Sequence, residues 1–355
     1  MMFAFSRCPT PRAVAVLLFS ALFLAMSAAS ALADPPWSEP WTTTIRADHP
    51  LVGRILDART GAELDGAAID ARLAVADYVM LGEKHDNPDH HQAQAWLLAR
   101  MVAAGRRPAV VWEMLDSGQA DLLAAFLDQS AVAASDLGLA VGWDRTGWPD
   151  WTMYQPIAAV ALDAGLPMRT GNLLADEVRR AATEGWEAVV GPEGLAPRAL
   201  DVPFPDAQRD ALGAEILRGH CDMLPEEAVP GMIAAQRLRD GEMARALLAG
   251  AALPGTDGAV LIAGNGHARA DRGVPWVLGH LAPDATVISV GVLEVSEDLP
   301  AAPEPDDLRE IAAEDGRPPY DLIVFTPALE DIDPCEKFRA QLERMRDRHG
   351  AGGNE

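Results

Sequence analysis

Short apolar runs alternate with longer amphipathic stretches along most of the chain. The runs fall at residues 78–82, 109–114, 167–171, 259–263, 286–290 and 321–325. Several of them, such as VLIAG, lack any charged position, which is typical of strands that are covered on both faces. The stretches between them show the apolar spacing of helices. This alternation predicts an α/β fold with a mostly parallel central sheet and helices on both faces.

Local signals define the first elements more closely. Asn87 is a good helix N-cap and Pro88 suits the first helical position, so the sequence predicts a helix from there to a point near Gly105. Upstream, residues 53–65 (GRILDARTGAELD) suggest two short strands around a turn at Thr60-Gly61. Residues 34–52 are rich in Pro and Trp and indicate an extended lead-in to a single domain over residues 53–355.

The strand and helix rhythm stops between residues 173 and 250. This stretch contains several helical patterns and a proline-rich break, APRALDVPFPD. We interpret it as a helical insertion, or lid, on the α/β domain.

The amino terminus has the three parts of a secretory signal. Arg7 and Arg12 precede an apolar stretch that is too short to span a bilayer comfortably, and Ala31-Leu32-Ala33 is a small-x-small cleavage site. We therefore expect residues 1–33 to be a signal peptide and the mature protein to be exported to the periplasm or cell envelope as a soluble chain. An uncleaved anchor is the alternative.

Composition narrows the possible partners and the redox environment. Apolar residues make up 49% of the 355 residues, as in ordered globular proteins, and the net charge of −24 argues against nucleic-acid binding. Cys221 and Cys335 are the cysteines that would remain after cleavage. In an oxidising compartment they can form a disulfide, and two separate thiols are the alternative.

Polar residues collect where the predicted strands end. Glu83 and His85 follow the first apolar run, Glu113 lies near the end of the second, and His267 and Arg269 follow the run VLIAG. Ligands of open α/β sheets bind beyond the carboxyl ends of the strands. The sequence therefore predicts a pocket that Glu83, His85, Glu113, His267 and Arg269 share, in which His85 or Arg269 is the partner of Glu113.

The two histidines at positions 90 and 91 need a separate interpretation. Adjacent helical residues point about 100° apart, so His90 and His91 cannot both face one site. We expect one of them, taken as His91, to reach the pocket and the other to lie at the surface.

Glutamate and histidine together suit two kinds of ligand. Glu83, His85 and His267 could bind a divalent metal such as zinc or manganese with an open position for water. Alternatively, a histidine or Tyr154 could ligate haem iron while arginines pair with the propionates. The residues leave both alternatives open.

Five sequence blocks resemble the ChaN-like haem-binding uptake proteins. They are LGEKHDNPDHH, VVWEM, GWPDWTMYQPIAAVALDAGLPMRTGNL, AAQRLRDGEMARALL and LIAGNGHARADRGVP, and they occur in the order expected for that family. The resemblance extends from about residue 53 to residue 291. It includes the GEKH and GNGH motifs and a helix that carries Gln236, Asp240 and Met243. The same superfamily contains the Tiki proteases, the TraB proteins and the erythromycin esterases.

The resemblance implies an α/β fold with a helical cap and a role in haem or haem-iron handling at the bacterial envelope. It implies that Glu83, His85, Glu113 and His267 line the pocket that the superfamily shares. Haem or another small ligand, envelope haem-uptake components and a second copy of the chain are the partners to expect. The alternative is a metal-dependent hydrolase of the Tiki or esterase type, in which Glu83 acts as the general base.

Overall fold

A sheet of seven strands organises the part of the chain that the structure describes. The computed structural model describes residues 40–303, 318–333, 335–337 and 339. The strands are β1 (Ile55–Asp57), β2 (Tyr78–Leu81), β3 (Ala109–Asp116), β4 (Met168–Asn172), β5 (Ala259–Ile262), β6 (Val287–Glu294) and β7 (Leu322–Thr326). Their spatial order is β1-β7-β6-β2-β5-β3-β4. Neighbours are parallel except for β1 and β7, so the predicted α/β fold is confirmed.

Helices connect the strands and cover both faces of the sheet. They are α1 (Gly66–Val75), α2 (Pro88–Ala103), α3 (Ala120–Leu127), α4 (Ala134–Ala140), α5 (Trp151–Asp163), α6 (Ala175–Glu184), α7 (Glu187–Val190), α8 (Asp206–Gly219), α9 (Val229–Ala251), α10 (Asn265–Ala268) and α11 (Val274–Leu281). Helices α1, α2 and α5 contribute to the core on one face, and α9 and α11 contribute to the core on the other.

Burial on two faces explains why the central strands are apolar at successive positions. In β2, Val79 and Leu81 belong to the first core, whereas Tyr78 and Met80 belong to the second. Because side chains alternate across a strand, a strand that is covered on both faces needs an apolar residue at every position. Because β2 to β7 run parallel to one another, the carboxyl ends of these strands lie along one edge of the sheet.

Helix α2 begins as its sequence predicts. The side chain of Asn87 accepts a hydrogen bond from the backbone N–H of Asp89, and Pro88 is the first helical residue. Asp89 itself accepts from the backbone N–H groups of Thr42 and Thr43 at 2.9 and 2.8 Å. These bonds hold the segment before β1 against the start of α2. From residue 45 to residue 53 that segment consists largely of turns rather than the extended chain that we expected.

The hairpin predicted for residues 53–65 is only partly formed. Ile55–Asp57 is a strand, but it pairs with β7, and its contact with the returning chain is one isolated bridge between Leu56 and Glu63. β1 pairs with β7 over three residues but with the returning segment at only one, so the pairing with β7 replaces the predicted hairpin.

Helices α6 to α9 follow β4 where the sequence predicted a helical insertion. Cys221, between α8 and α9, forms a disulfide with Cys335, and their Cα atoms are 5.4 Å apart. The predicted disulfide is therefore present, and it joins this helical segment to the chain that follows β7.

The predicted signal peptide lies outside the described residues. Among the helices of the described ranges, none is long and apolar enough to cross a membrane.

Candidate functional site

Three neighbouring strands deliver the polar residues to one edge of the sheet. Strand β5 lies between β2 and β3, and Ile262 is in register with both Leu81 and Trp112. Glu83 follows β2 by two residues and Glu113 follows Trp112 by one. Helix α10, which carries His267, begins three residues after Ile262. The sheet therefore brings together side chains that are far apart in the sequence.

Glu83 is the centre of the first group at this edge. It is buried, and its Oε1 lies 2.7 Å from Nδ1 of His85 and accepts a hydrogen bond of 3.2 Å from the Tyr154 hydroxyl. Its Oε2 lies 2.6 Å from Nδ1 of His91, although that contact lacks the direction of a hydrogen bond. Burial alone would raise the pKa of Glu83, but His91 and His85 lower it to about 2. Glu83 is therefore an anion at neutral pH.

Glu113 is the centre of the second group, and His267 lies beside it. The Oε2 of Glu113 accepts a hydrogen bond of 2.7 Å from the backbone N–H of Gly264, and Oε1 accepts one from Arg239. The Nε2 of His267 is 3.3 Å from Oε1 of Glu113. Although burial opposes ionisation, the nearby His267 and Arg239 hold the pKa of Glu113 well below its usual range.

His267 is held between two carboxylates. Its Nδ1 is 2.6 Å from Oδ1 of Asp240 and 3.0 Å from the side-chain amide of Gln236. Burial would lower its pKa, but Glu113 and Asp240 raise it to about 9. His267 is therefore an imidazolium at neutral pH, with an acidic partner for each ring N–H.

His85 joins the two groups and differs from the other histidines in exposure. Its Nδ1 contacts Glu83, and its Nε2 lies 4.0 Å from Oε1 of Glu113. The side chain is 33% exposed, whereas His91 and His267 are buried. Its ring lies 4.7 Å from that of Trp148. Burial lowers its pKa, but the bond to Glu83 and the charge of Glu113 outweigh that effect, and the net pKa is raised.

The expectation that one of His90 and His91 lies at the surface is wrong. Both side chains are buried, and each has polar partners in the interior. His90 accepts from the backbone N–H of Lys84 at 2.8 Å and donates through Nε2 to Thr326 at 3.0 Å. Burial lowers its pKa to about 3, so it is neutral and structural. His91 faces Glu83, and its Nε2–H donates to the carbonyl of His85 at 3.1 Å.

Arg269 lies apart from this cluster. It forms a two-point pair with Asp271 at 2.9 and 2.7 Å, and Arg239 instead occupies the position beside Glu113 that we considered for Arg269. The sequence prediction missed Arg239, and it used Asp240 only as part of the family resemblance. Gln236, Arg239 and Asp240 stand at positions i, i+3 and i+4 of α9, which places them on one helical face. That spacing is the signal that could have identified them.

A cleft of about 560 Å³ opens beside the two groups. Its wall includes Glu113 and Trp148, which flank His85, and the cationic side chains Arg145 and Arg239. Apolar residues complete it, among them Met114, Leu122, Val141, Leu173 and Val178. Trp112 and Trp143 do not line it and are buried in the core. A volume of this size is typical of small-molecule sites.

The donor set does not form a metal site of its own. Within the described residues, no group of three His, Cys, Asp or Glu side chains is arranged to hold a metal ion. Glu83, His85 and His267, the predicted metal ligands, are divided between the two groups, and the ring nitrogens of His267 already donate to acids.

Comparison with known proteins gives one family. The model of the family described as "Haem-binding uptake, Tiki superfamily, ChaN" matches residues 69–278. No curated protein matches the sequence significantly. Among solved structures, ChaN of Campylobacter jejuni, described as showing cofacial haem binding, is 19% identical with a TM-score of 0.54. The match covers 76% of this chain and 95% of that one.

Two further structures are more distant. The type III effector HopBA1 is 11% identical with a TM-score of 0.39, covering 73% of this chain and 92% of its own. The erythromycin esterase EreC is 14% identical with a TM-score of 0.38, covering 70% and 81%.

Proposed function

Because the chain belongs to the ChaN family of haem-binding uptake proteins in the Tiki superfamily, we propose that it binds haem in the cleft beside His85. In this proposal His85 is the protein ligand of the iron. The observation that carries it is that the partly exposed His85 imidazole contacts Glu83 and lies next to Glu113 and Trp148, which line the cleft.

The contact with Glu83 leaves one nitrogen of His85 available. Nδ1–H donates to the Glu83 carboxylate at 2.7 Å, so the lone pair of a neutral ring is on Nε2. Nε2 lies 4.0 Å from Glu113, which is beyond hydrogen-bond distance. A carboxylate on the far nitrogen fixes the ring orientation and makes the ligating nitrogen more basic. Partial exposure of the side chain gives a ligand access to it.

The neighbouring histidines have no nitrogen to offer. Nε2 of His91 donates to a carbonyl and its Nδ1 faces Glu83, whereas both nitrogens of His267 face acids. One available histidine is too few for an isolated divalent ion, which usually takes three protein ligands at an open site. It would be sufficient for haem, because the porphyrin would supply four nitrogen donors to the iron and the protein would need to add only one.

The cleft also suits the rest of a haem molecule. Arg145 and Arg239 line it and can pair with propionates, and the apolar side chains suit the porphyrin plane. Bound haem would supply the iron, and the chain would supply the His85 nitrogen, the cations Arg145 and Arg239 and a partly enclosed apolar wall.

Tyr154, the alternative axial ligand, is unsuitable in this arrangement. It is fully buried and its hydroxyl donates to Glu83. Burial and the charge of Glu83 raise its pKa far above the usual range, which opposes the phenolate that iron prefers. The other tyrosines, Tyr78 and Tyr320, are also buried. We propose that Tyr154 instead positions Glu83.

A haemin titration followed by absorbance tests the proposal. The native protein should give a saturable Soret band, His85→Ala should weaken haem affinity and shift the band, and Tyr154→Phe should retain both. A spectrum that stays identical to that of free haemin at every protein concentration would exclude the function. A native protein that instead purifies with a stoichiometric divalent metal and hydrolyses esters or peptides would identify the hydrolase alternative.

We also propose that the protein is exported and acts with envelope components of haem uptake. The signal-like residues 1–33 support export, and the disulfide between Cys221 and Cys335 suits an oxidising compartment. Intact-mass measurement of the native protein should give a chain that starts at or near Asp34, and a chain that retains Met1 would refute this.

A homodimer is the assembly that we propose for the haem complex. The related Campylobacter jejuni structure is described as binding haem cofacially. Here Leu122 lines the cleft and is 44% exposed, and Leu174 is 42% exposed, so a second copy could cover apolar surface near the cleft. Light scattering should show a doubled mass on addition of haemin, and an unchanged monomer with haem bound would refute the assembly.

A further inference from the structure

The helices that follow β4 enclose a second cleft, of about 670 Å³. It has no lining residue in common with the cleft beside His85. Leu217 of α8 and Val229, Ile233 and Ala234 of α9 form much of its apolar wall. Trp186 and Phe204 complete that wall. The cleft is therefore a separate feature of the fold, with the size and surface of a small-molecule site.

Arg237 lines this cleft and is almost completely buried at 7% exposure. Its guanidinium carbon lies 5.0 Å from the ring centre of Trp186, 4.7 Å from that of Phe204 and 5.4 Å from that of Trp276. Nη2 donates to the carbonyls of Ala199 and Val202 at 3.1 and 3.3 Å. Among the described residues, no acceptor is found for Nε or Nη1, and no carboxylate lies within 4.0 Å.

Comparison with the other buried arginines shows that Arg237 differs from them. Arg100, Arg269 and Arg272 are equally buried, and each forms an ion pair with a carboxylate, Arg100 with Asp70 and the other two with Asp271. A buried charge is costly unless it is paired. The aromatic rings compensate part of this cost at Arg237. Burial nevertheless lowers its pKa, against the opposing effect of Asp240.

We propose that this second cleft binds an amphipathic monocarboxylate of the fatty-acid class, with its carboxylate on Arg237 and its hydrocarbon chain along the apolar wall. The free N–H groups of Arg237 match a carboxylate. Asp210 and Glu226 also line the cleft and disfavour a second anionic group, so the monoanion is preferred to a dianion such as haem. Arg209 also lines the cleft, but it is paired with Asp206 and Asp210.

Calorimetric titration of the native protein with dodecanoate and with dodecan-1-ol tests the ligand class directly. The two probes share a hydrocarbon chain and differ in charge. We expect dodecanoate to bind at least about tenfold more tightly, since a hydrogen bond to a buried charge has that effect. Equal affinities would refute the role of the carboxylate, and the absence of binding by either probe would refute the site.

Matched variants locate the binding. Arg237→Gln should lose at least about tenfold in dodecanoate affinity, whereas Arg209→Gln, which removes the same charge from the rim, should change it by less than about twofold. Ala234→Phe fills the cleft and should block both probes. Haemin-loaded protein should bind dodecanoate as tightly as the haem-free protein. A loss in Arg209→Gln but not in Arg237→Gln, or displacement of dodecanoate by haemin, would overturn the proposal. If Arg237→Gln does not fold, the comparison of probes on native protein remains decisive.

Discussion

The carboxylates of Glu83 and Asp240 contact Nδ1 of different histidines in similar geometry, but we assign them different roles. Glu83 contacts His85, which we propose as the haem ligand, whereas Asp240 contacts His267, whose second nitrogen faces Glu113. Glu83→Gln should therefore lower haem affinity by about 10- to 100-fold, as loss of a supporting carboxylate does at metal sites. Asp240→Asn is the matched control and should leave the Soret position unchanged. The opposite pattern would assign the axial role to His267.

The two buried charge groups also set a pH range for stability. The folded pKa of Glu83 is about 2 against an ordinary value of 4.5, so its contribution is present above pH 4.5 and is lost as pH falls toward 2. The folded pKa of His267 is about 9 against 6.5, so its contribution is complete below pH 6.5 and is lost as pH rises through 9. His90, with a folded pKa of about 3 against 6.5, loses stability as pH falls below 6.5. Urea unfolding of haem-free protein should therefore show a maximum near pH 6.5. Stability that rises from pH 6.5 to 9 would contradict this.

The grouping of four candidate site residues could be predicted from sequence because they lie near or just after the ends of strands. Glu83, His85, Glu113 and His267 occur at or just after apolar runs, and a parallel sheet brings such positions to one edge. Arg239 could not be placed in this way. It reaches Glu113 from α9, and how a long helix docks on a sheet depends on packing along its whole length.

At the scale of elements, the turn between β5 and α10 controls the room available to His85. Gly264 has φ −60° and ψ 150°, a conformation that other residues adopt freely. An added Cβ there would lie 2.9 Å from Nε2 of His85, whereas one at Gly266 would have its nearest neighbour at 3.8 Å. Gly264→Ala should therefore displace the His85 ring and weaken haem binding in a folded protein, and Gly266→Ala should not. Haemin titrations and circular dichroism of both variants test this, and equal haem affinities would argue against His85.

The disulfide joins the helical segment after β4 to the chain that follows β7. Cys221 and Cys335 are separated by 114 residues, for which the chain-entropy model gives a contribution of about 5 kcal/mol, and measured effects are about 2–5 kcal/mol. The Cys221→Ser/Cys335→Ser double variant should unfold at lower temperature while its haem affinity stays unchanged, because neither cysteine contacts the His85 cleft. Titration of denatured, unreduced native protein should find no thiol at these positions. Two reactive thiols per mature chain would contradict the bond.

Element boundaries show where sequence patterns fall short. The run at 286–290 predicted a strand that stops before Gly291, but β6 continues to Glu294. Position 291 has room only for a glycine, because the ring of Tyr320 packs against it and an added Cβ would lie 2.6 Å from the nearest ring atom. A glycine that permits close packing cannot be distinguished by sequence from one that ends a strand.

At the scale of the whole molecule, the sheet and the helical segment after β4 provide two separate clefts, for which we propose different ligands. The first lies at the carboxyl edge and includes Glu113 and Arg239, and the second is lined by α8, α9 and the single buried, unpaired arginine of the described residues. The sequence pattern placed one lining residue of the first cleft, Glu113, near the end of a strand, and the other predicted pocket residues lie outside its lining. It could not predict the second, because that cleft forms between helices whose relative positions follow from packing.

The central claim is that His85 provides the axial nitrogen for haem, and chemical rescue tests it most directly. His85→Gly removes the imidazole from a partly exposed position that free imidazole can enter. The haem complex of this variant should have a shifted Soret band and weaker affinity, and added imidazole should restore the native spectrum. A His85→Gly complex that already shows the native spectrum and affinity without imidazole would contradict the account.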